Sequence, residues 1–557
     1  MTGAGPDGFH HPASEDEIVA LVKAASRDGK RLRVRGAAHS VSNAIYTSPT
    51  GPNRVTRQAP PDDGNVNVML DRFASWRVVD EDRKLVEADA GIHLGADPDD
   101  PTKTATLERS LLYQLAQRGW TLYDTGGVTH QTVSGFTATG SSGGSLQFTS
   151  NRNLYGFRVV DGRGEVHEFT REDADPDGFN SMMPSLGLLG VVTAITFECT
   201  ELFAIQGSEA VTTVDAGPAD LEQFLRDADF ARLEWWPQRG AERLLTWQAT
   251  RMDIPEDFEP HPYKSFAGSP AAAEHAIAIL FTILGNLDDL KQARRKLEDD
   301  FDDIRHGLEA LKIARDLGFV GHALAAFAGT VLEGSVDLAI AALSLVKDRV
   351  RDGIPDFYPR LIDAFIPLDK GEPQRFTDFG WAGLPMDNQA SDALLPTEFT
   401  EAWVPLGRTQ AVMELLKTYF SEPADAKEAY RRTGTYAWEL YAAMPAPFWL
   451  SPAHSSGADE WRDGALRIDP YWFADNAADP AKAFFPGLWG LLRDNDVPFR
   501  LHWGKFQPIY ERGDRRWVDF FRAQYPRWDD FLALRAERDP AGVFLTDYWR
   551  DRFGLWD

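Results

Sequence analysis

The sequence predicts an α+β protein of more than one domain. At 557 residues the chain is too long for a single core. Short strand-like runs alternate with helix-like ones at both ends, and between them an Ala- and Leu-rich stretch from about 271 to 350 has helical spacing. A hydrophobic content of 43%, with 17 Trp and 34 Phe to supply large buried areas, excludes disorder. A formal net charge of -27 argues against nucleic acid, whose phosphates reward Lys and Arg, and against anionic membrane surfaces and strongly anionic substrates.

In chain order, Ser14-Glu15-Asp16-Glu17 is a capping box, and Ile18, Leu21, Val22 and Ala25 make one apolar helix face. Gly29 ends this helix, and the alternation Arg31-Leu32-Arg33-Val34-Arg35 reads as a strand. Further strands are expected at Asn67-Val68-Met69-Leu70 and Leu85-Val86-Glu87-Ala88, with a helix over Thr106 to Gly119. Tyr155 to Val160 and Glu165 to Phe169 flank Asp161-Gly162 as a hairpin. Ser185 to Val192 leads into a strand ending at Cys199, and this α+β block closes near residue 205. Cys199 is the only cysteine, which rules out an intrachain disulfide and a Cys-rich metal site. No basic segment followed by an apolar run opens the chain, so a cytoplasmic location is expected.

The middle reads differently. It contains a charged span from Leu287 to Asp303 and an apolar one from Phe319 to Val346, the latter interrupted by His322, Glu333 and Asp337. Carboxylates are costly in lipid, so this second span is expected to be a buried or interface helix. The run Glu298-Asp299-Asp300-Phe301-Asp302-Asp303 lacks the alternating ligands of a calcium loop and reads as a solvated helix face. Beyond it lie a strand over Phe399 to Pro405, a helix from about Gly407 to Phe420, and strands at Thr435 to Tyr441 and Gly464 to Ile468.

Two glycine-rich runs carry the chemistry. Val34-Arg35-Gly36-Ala37-Ala38-His39-Ser40 is answered by a run from Thr125 to Ser145, dense in Gly, Ser and Thr. Such runs let the main chain approach a ligand and aim N–H groups at phosphate oxygens. The second run is neither G-x-x-x-x-G-K-[ST] nor a G-x-G-x-x-G opening a helix. Together the two resemble the PCMH-type FAD-binding domain of the vanillyl-alcohol-oxidase superfamily. His502-Trp503-Gly504-Lys505 resembles the His-Trp-Gly/Ala-Lys motif of its sugar-lactone and alditol oxidase branch. Tyr525-Pro526-Arg527, Phe531, Asp539-Pro540 and Phe544 resemble that branch's closing segment, so the resemblance covers about 9–205 and 398–557.

The resemblance implies two domains in an α+β arrangement. Residues 1–205 would bind FAD, and 206–495 would form an antiparallel-sheet substrate domain with a helical insertion at about 255–370. Residues 496–557 would complete the flavin site. His39 stands where the family bonds a histidine covalently to the flavin 8α-methyl group. The same likeness assigns Arg35, Gly36, Ala37, Ala38, Ser40, Gly126, Gly127, Thr132, Ser134, Gly135, Thr139, Gly140, Ser142, Gly143, Gly190, Val192 and His502 to the cofactor. Ser142 takes the place of the family's usual histidine. Lys505 is implied beside the flavin N1–C2 carbonyl, where a fixed cation stabilises charge arriving with the hydride.

Trp438-Glu439-Leu440-Tyr441 resembles the branch's Glu-x-Arg strand; Glu439 matches, and Tyr441 replaces the arginine. Asp469 falls where relatives carry an active-site histidine, and Tyr471 follows two residues later. The catalytic set is therefore Lys505, Glu439, Asp469 and Tyr441, with a base drawn from Glu439, Asp469 or Tyr471 and with burial required to lift a carboxylate toward neutrality. No metal is implied. The implied reaction oxidises a CH–OH group of an alcohol, polyol or lactone-like small molecule, with O2 as acceptor and H2O2 as product. Loss of the arginine and the histidine points away from a simple polyol or lactone. Open alternatives are an FAD-dependent oxidative cyclisation, a dehydrogenase with another acceptor, and a noncatalytic scaffold. The helical insertion is expected to enclose substrate or to support an oligomer.

Overall fold

The computed structural model describes residues 4–48, 53–55, 63–148, 150–264, 279–299, 308, 312–368, 372–386, 397–425, 427–428, 432, 437–457, 459–474, 478–508, 510 and 513–556. The acidic run from Glu298 to Asp303 and the start of the strand expected at Thr435 lie wholly or partly outside these residues.

The chain opens with α1 (Glu15–Arg27), where the capping box forms: the Glu17 N–H donates to Ser14 Oγ and the Ala13 N–H to Glu17 Oε2. β1 (Leu32–Arg35) follows and pairs in parallel with β2 (Val66–Met69). β3 (Trp76–Asp80) and β4 (Leu85–Asp89) come next; β3, with its exposed alternate residues, carried too weak an apolar signal to be expected. The helix expected over Thr106 to Gly119 is shorter than that. A 3₁₀ turn over Leu107–Arg109 precedes α2 (Leu111–Gln117), because Ser110 is extended and breaks the continuity. After α3 (Val133–Thr139), the expected hairpin appears as β5 (Leu154–Val160) and β6 (Val166–Thr170). β7 (Val191–Glu198) completes a five-stranded antiparallel sheet of order β3-β4-β7-β5-β6.

A larger, nine-stranded antiparallel sheet begins with β8 (Ala204–Thr213), β9 (Phe230–Trp236) and β10 (Arg243–Met252). The middle of the chain then supplies α4 (Leu290–Asp299), α5 (Gly318–Leu332) and α6 (Val336–Phe365). The apolar span Phe319 to Val346 is thus two helices and not one, because Gly334 sits at φ +89°, a conformation that ends a helix. Among the described residues no helix is long and apolar enough to cross a membrane. The sheet resumes with β11 (Gln374–Phe379), β12 (Thr397–Phe399) and β13 (Ala402–Pro405). After α7 (Thr409–Ser421) come β14 (Trp438–Ala443), β15 (Ala465–Phe473), α8 (Phe485–Asp494) and β16 (Arg500–Leu501). Its order is β11-β8-β10-β9-β14-β15-β13-β16, with β12 paired to β15.

Period-two alternation gives this sheet two different faces. Trp438, Leu440, Ala442, Leu466 and Ile468 point into an apolar core with Val412, Met413, Leu416 and Phe420 of α7. Glu439, Tyr441, Arg467, Asp469 and Tyr471 project from the other face. That core is continuous with the first block through Leu111, Leu115, Phe136 and Phe157. The helical middle packs on Phe203, Ile205, Phe230, Trp247 and Phe376 at the far edge of the sheet. Finally, α9 (Arg516–Gln524), α10 (Trp528–Arg538) and α11 (Asp547–Phe553) return to the chain's start, where the Leu32 N–H donates to Val543 O and Trp549 Nε1 to Ala44 O. Because Leu440 is fully buried in the shared core, Leu440→Ala is expected to cost about 2–5 kcal/mol, read as a lower denaturant midpoint at unchanged slope.

Candidate active site

The N-terminal half builds a cradle. The buried Arg33 guanidinium donates to the carbonyls of Ala44 (2.6 Å), Leu186 (2.8 Å) and Gly187 (3.2 Å), which fixes the loop before β7 against the end of β1. The chain then turns through Gly36 to Ser40, and Ala38 adopts φ +63°, a strained conformation for a residue with a Cβ. Gly36 has no room for a side chain, since a Cβ there would lie 2.4 Å from Thr132 Oγ1. That hydroxyl caps α3 by accepting from the Gly135 N–H at 3.2 Å. The two glycine-rich runs therefore touch at a helix cap. His39 follows, its ring 5.7 Å from that of His130.

The C-terminal motif closes the cradle. Val41 N–H donates to Gly504 O at 2.9 Å, and Lys505 Nζ donates to His39 O at 2.9 Å. Lys505 also sits 4.1 Å above the Phe399 ring, and the His502 N–H donates to Glu401 O. Burial pushes the His502 imidazole down to about 4, so it is neutral, and its Nδ1 accepts from the Gly504 N–H at 3.2 Å.

The large sheet forms the floor. Register places Glu234, Glu439 and Asp469 side by side across β9, β14 and β15, and Glu401, just before β13, extends that row. Two residues along each strand, Arg232, Tyr441 and Arg467 form a second row on the same face. Arg467 lies 3.9 Å over the Tyr441 ring and 4.7 Å over that of Trp403. It pairs with Glu401 at 2.9 Å and donates to Ser142 O, tying the floor to the second glycine-rich run. Cradle, motif and floor line one cavity.

Comparisons with known proteins agree with this arrangement. Residues 495–552 match the D-arabinono-1,4-lactone oxidase family. The whole chain is 27% identical to an L-gulono-1,4-lactone dehydrogenase of Mycobacterium tuberculosis over 556 residues, 99% of this chain and 96% of that protein. A D-arabinono-1,4-lactone oxidase of Eremothecium gossypii is 28% identical over 46% of this chain, and a Saccharomyces cerevisiae one 27% over 48%. The matches span only 42% and 45% of those fungal proteins. In fold, the chain resembles a solvent-stable cholesterol oxidase (TM-score 0.63, 16% identity, 98% of this chain and 94% of that one). It also resembles a cholesterol oxidase of Brevibacterium sterolicum (TM-score 0.60, 13% identity, 98% and 93%). These likenesses support a resemblance to the sugar-lactone oxidase branch of the vanillyl-alcohol-oxidase superfamily.

Most of the residues that the branch likeness singles out converge on the cavity. Its walls include Gly36, Ala37, Ala38, His39, Ser40, Gly126, Gly127, Thr132, Ser134, Gly135, Thr139, Ser142, Gly190, Val192 and His502, together with Lys505, Glu439, Tyr441, Asp469 and Tyr471. Arg35, Gly140 and Gly143 are placed behind them. Arg35 donates to Gly36 O and stacks on Phe9, Gly140 is the left-handed cap of α3, and Gly143 packs against Asp124 and the Thr125 carbonyl. The arginine that Tyr441 displaces is not lost from the site. Arg467, directly opposite Tyr441 on β15, brings a guanidinium to the same face. Its place two residues from Asp469 made it legible by alternation alone, whereas Glu401 becomes visible only once the register is known.

Electrostatics sort the carboxyls. For Glu401, burial raises the pKa, but the charges of Arg467 and Lys505 outweigh it and hold the group below its usual value, ionised. Asp469 is driven well above its usual value by burial and then by the Glu401 charge; Arg467 stands 3.8 Å from it, nearer to Glu401. Glu439 is pushed up to about 7 by burial, restrained by a hydrogen bond from the Tyr471 hydroxyl. Gly36→Ala is expected to dislodge the Thr132 cap, costing about 1 kcal/mol of stability and weakening cofactor retention. Thermal melts with and without added FAD check this, since the gap between them should narrow in the variant.

Proposed function

We propose that this chain is an FAD-dependent oxidoreductase that oxidises a CH–OH group of a small hydroxylated substrate and passes the electrons to O2, yielding H2O2. In this reading residues 1–205 and 496–557 hold the cofactor, and 206–495 offer the floor on which substrate rests. The observation that carries the reading is the convergence of His39, Lys505, Glu439 and Asp469, from both ends of the chain, on one cavity. The residues fit FAD: one cavity runs along both glycine-rich runs, His39 and Lys505 and reaches the carboxyl row of the sheet, as a dinucleotide with its substrate requires. The glycine runs admit close backbone approach, and His39, the residue proposed for covalent attachment, lines the same cavity.

Bound there, FAD supplies the hydride acceptor. The chain's own groups do the rest. Glu439, with its pKa near neutrality, takes the hydroxyl proton, and Tyr471 orients it by donating to Oε2. Asp469, protonated, offers a hydrogen bond to the oxygen that becomes a carbonyl. Lys505 holds a positive charge where negative charge develops. The sheet and the glycine runs exclude water from these groups.

Absorbance of the purified protein before and after acid precipitation tests the cofactor reading. Yellow colour is expected to stay with the pellet in the wild type and to be released by His39→Ala. A colourless protein that also takes up no added FAD would sink the reading. For the proton acceptor the sign follows from its role: a base must be ionised, so kcat/KM should rise with pH and level off above about 7. Glu439→Gln is expected to erase that limb and to slow the reaction about 10²–10⁴-fold, measured in stopped flow under anaerobic conditions.

A further inference from the structure

A second, smaller chamber lies behind the Tyr441 side of the floor. Gly127, Met386 and Tyr441 belong to the walls of both spaces, so the two lie side by side. Its other walls bring together Asp124, Thr125, Arg232 and Trp247. Each is more than nine-tenths buried.

What sets this chamber apart is unmet hydrogen-bonding capacity. Arg232 Nε, Trp247 Nε1, Thr125 Oγ1 and Asp124 Oδ2 are buried atoms without a hydrogen-bond partner among the described residues. Native proteins leave few such groups, and several around one cavity mark a site that something polar fills. Arg232 is the most demanding of them. Its Nη2 donates to Tyr263 OH at 2.6 Å and its Nη1 to Leu384 O at 3.3 Å, while the guanidinium stacks 4.3 Å from the Trp247 ring. Among the described residues no carboxylate forms an ion pair with it; Glu439 and Glu234 act on it only through their charges, from farther off. The contrast is Arg33, also buried and unpaired, which donates to the carbonyls of four residues: Ala44, Leu186, Gly187 and Phe544. A buried, partly satisfied cation is costly unless an anion joins it.

The remaining groups say which anion. Arg232 Nε–H, Trp247 Nε1–H and the Thr125 hydroxyl are donors. Burial pushes Asp124 up to about 8, with the Thr125 amide only partly opposing it, so near neutrality this carboxyl is a further donor and adds little negative charge. A surplus of donors around one cation fits a carboxylate, whose two oxygens accept about four hydrogen bonds. A neutral hydroxyl would leave most of them unmet.

We propose that this chamber is a carboxylate subsite: the substrate presents its CH–OH to the main cavity and a carboxylate to Arg232, Trp247 and Thr125, so that its class is the hydroxy acids. This rests on the oxidoreductase reading only for the position of the reacting carbon.

The test is calorimetric titration of the FAD-loaded protein with ω-hydroxy carboxylates of increasing chain length, each compared with its primary amide. At least one acid is expected to bind about tenfold or more tightly than its amide. Thr125→Val and Trp247→Phe should each cut that preference to about threefold or less, and Arg232→Gln should abolish it, while flavin content and absorbance stay as in the wild type. If Arg232→Gln fails to fold, the other two variants decide. Absence of preference for any acid overturns the proposal and leaves the chamber to ordered water. A preference that survives in the variants also overturns it, since the carboxylate is then held elsewhere. FAD content is read separately by absorbance, so a protein that takes up no FAD sinks the function reading while the acid-to-amide ratio still decides the subsite.

Discussion

The structure turns on one buried guanidinium. Arg467 lies between the Tyr441 and Trp403 rings, pairs with Glu401, and reaches across to the Ser142 carbonyl. Without it, Glu401, Asp469 and Glu439 would stand together in a water-poor row, where adjacent like charges repel and unpaired carboxylates are expensive to bury. With it, the row divides its labour. Glu401 keeps a charge and is held by Arg467, Asp469 takes a proton, and Glu439 remains poised near neutrality. The same side chain joins the sheet to the second glycine-rich run, so the protonation pattern and the seating of that run depend on one contact.

The second constraint is topological. His39 and Lys505 are separated by most of the chain, yet the Lys505 ammonium donates to the His39 carbonyl and the Gly504 carbonyl accepts from Val41. The last helices return to β1 to make this possible, through Val543 on Leu32 and Trp549 on Ala44. Loss of the C-terminal segment would therefore remove more than one lysine, because the wall beside His39 is built from it.

The sequence made the local features legible and left the relational ones hidden. The capping box at Ser14, the hairpin about Asp161 and the glycine runs each depend on residues close in the chain, and all appear where expected. Glu439 and Lys505, singled out by short motifs, and Asp469, singled out by its place in the alignment, all line the cavity. By contrast, Glu401 and Arg232 gain their meaning from strand register, which is fixed by pairing between segments far apart. The break at Gly334 was in plain view, but an apolar run reads as one helix until the backbone sign at that glycine is known. The absent arginine is the instructive case. Counting along β14 alone suggests a missing cation, whereas the neighbouring strand sets the Arg467 guanidinium over the Tyr441 ring.

A net charge of -27 sits uneasily with an anionic substrate, and the two are reconciled by range. Charges on the surface act through water and salt, where the screening length is about 8 Å at physiological ionic strength. Arg232, Arg467 and Lys505 act inside the protein at contact distance, with little solvent between them and a ligand. The repulsion from the surface therefore slows approach, and it weakens further as salt is added. The local cations set what stays bound. Between them the sorting of the carboxyls matters most: the Glu401 charge, held by Arg467, helps keep Asp469 protonated, while burial keeps Asp124 protonated, so that Asp124 adds little negative charge beside Arg232.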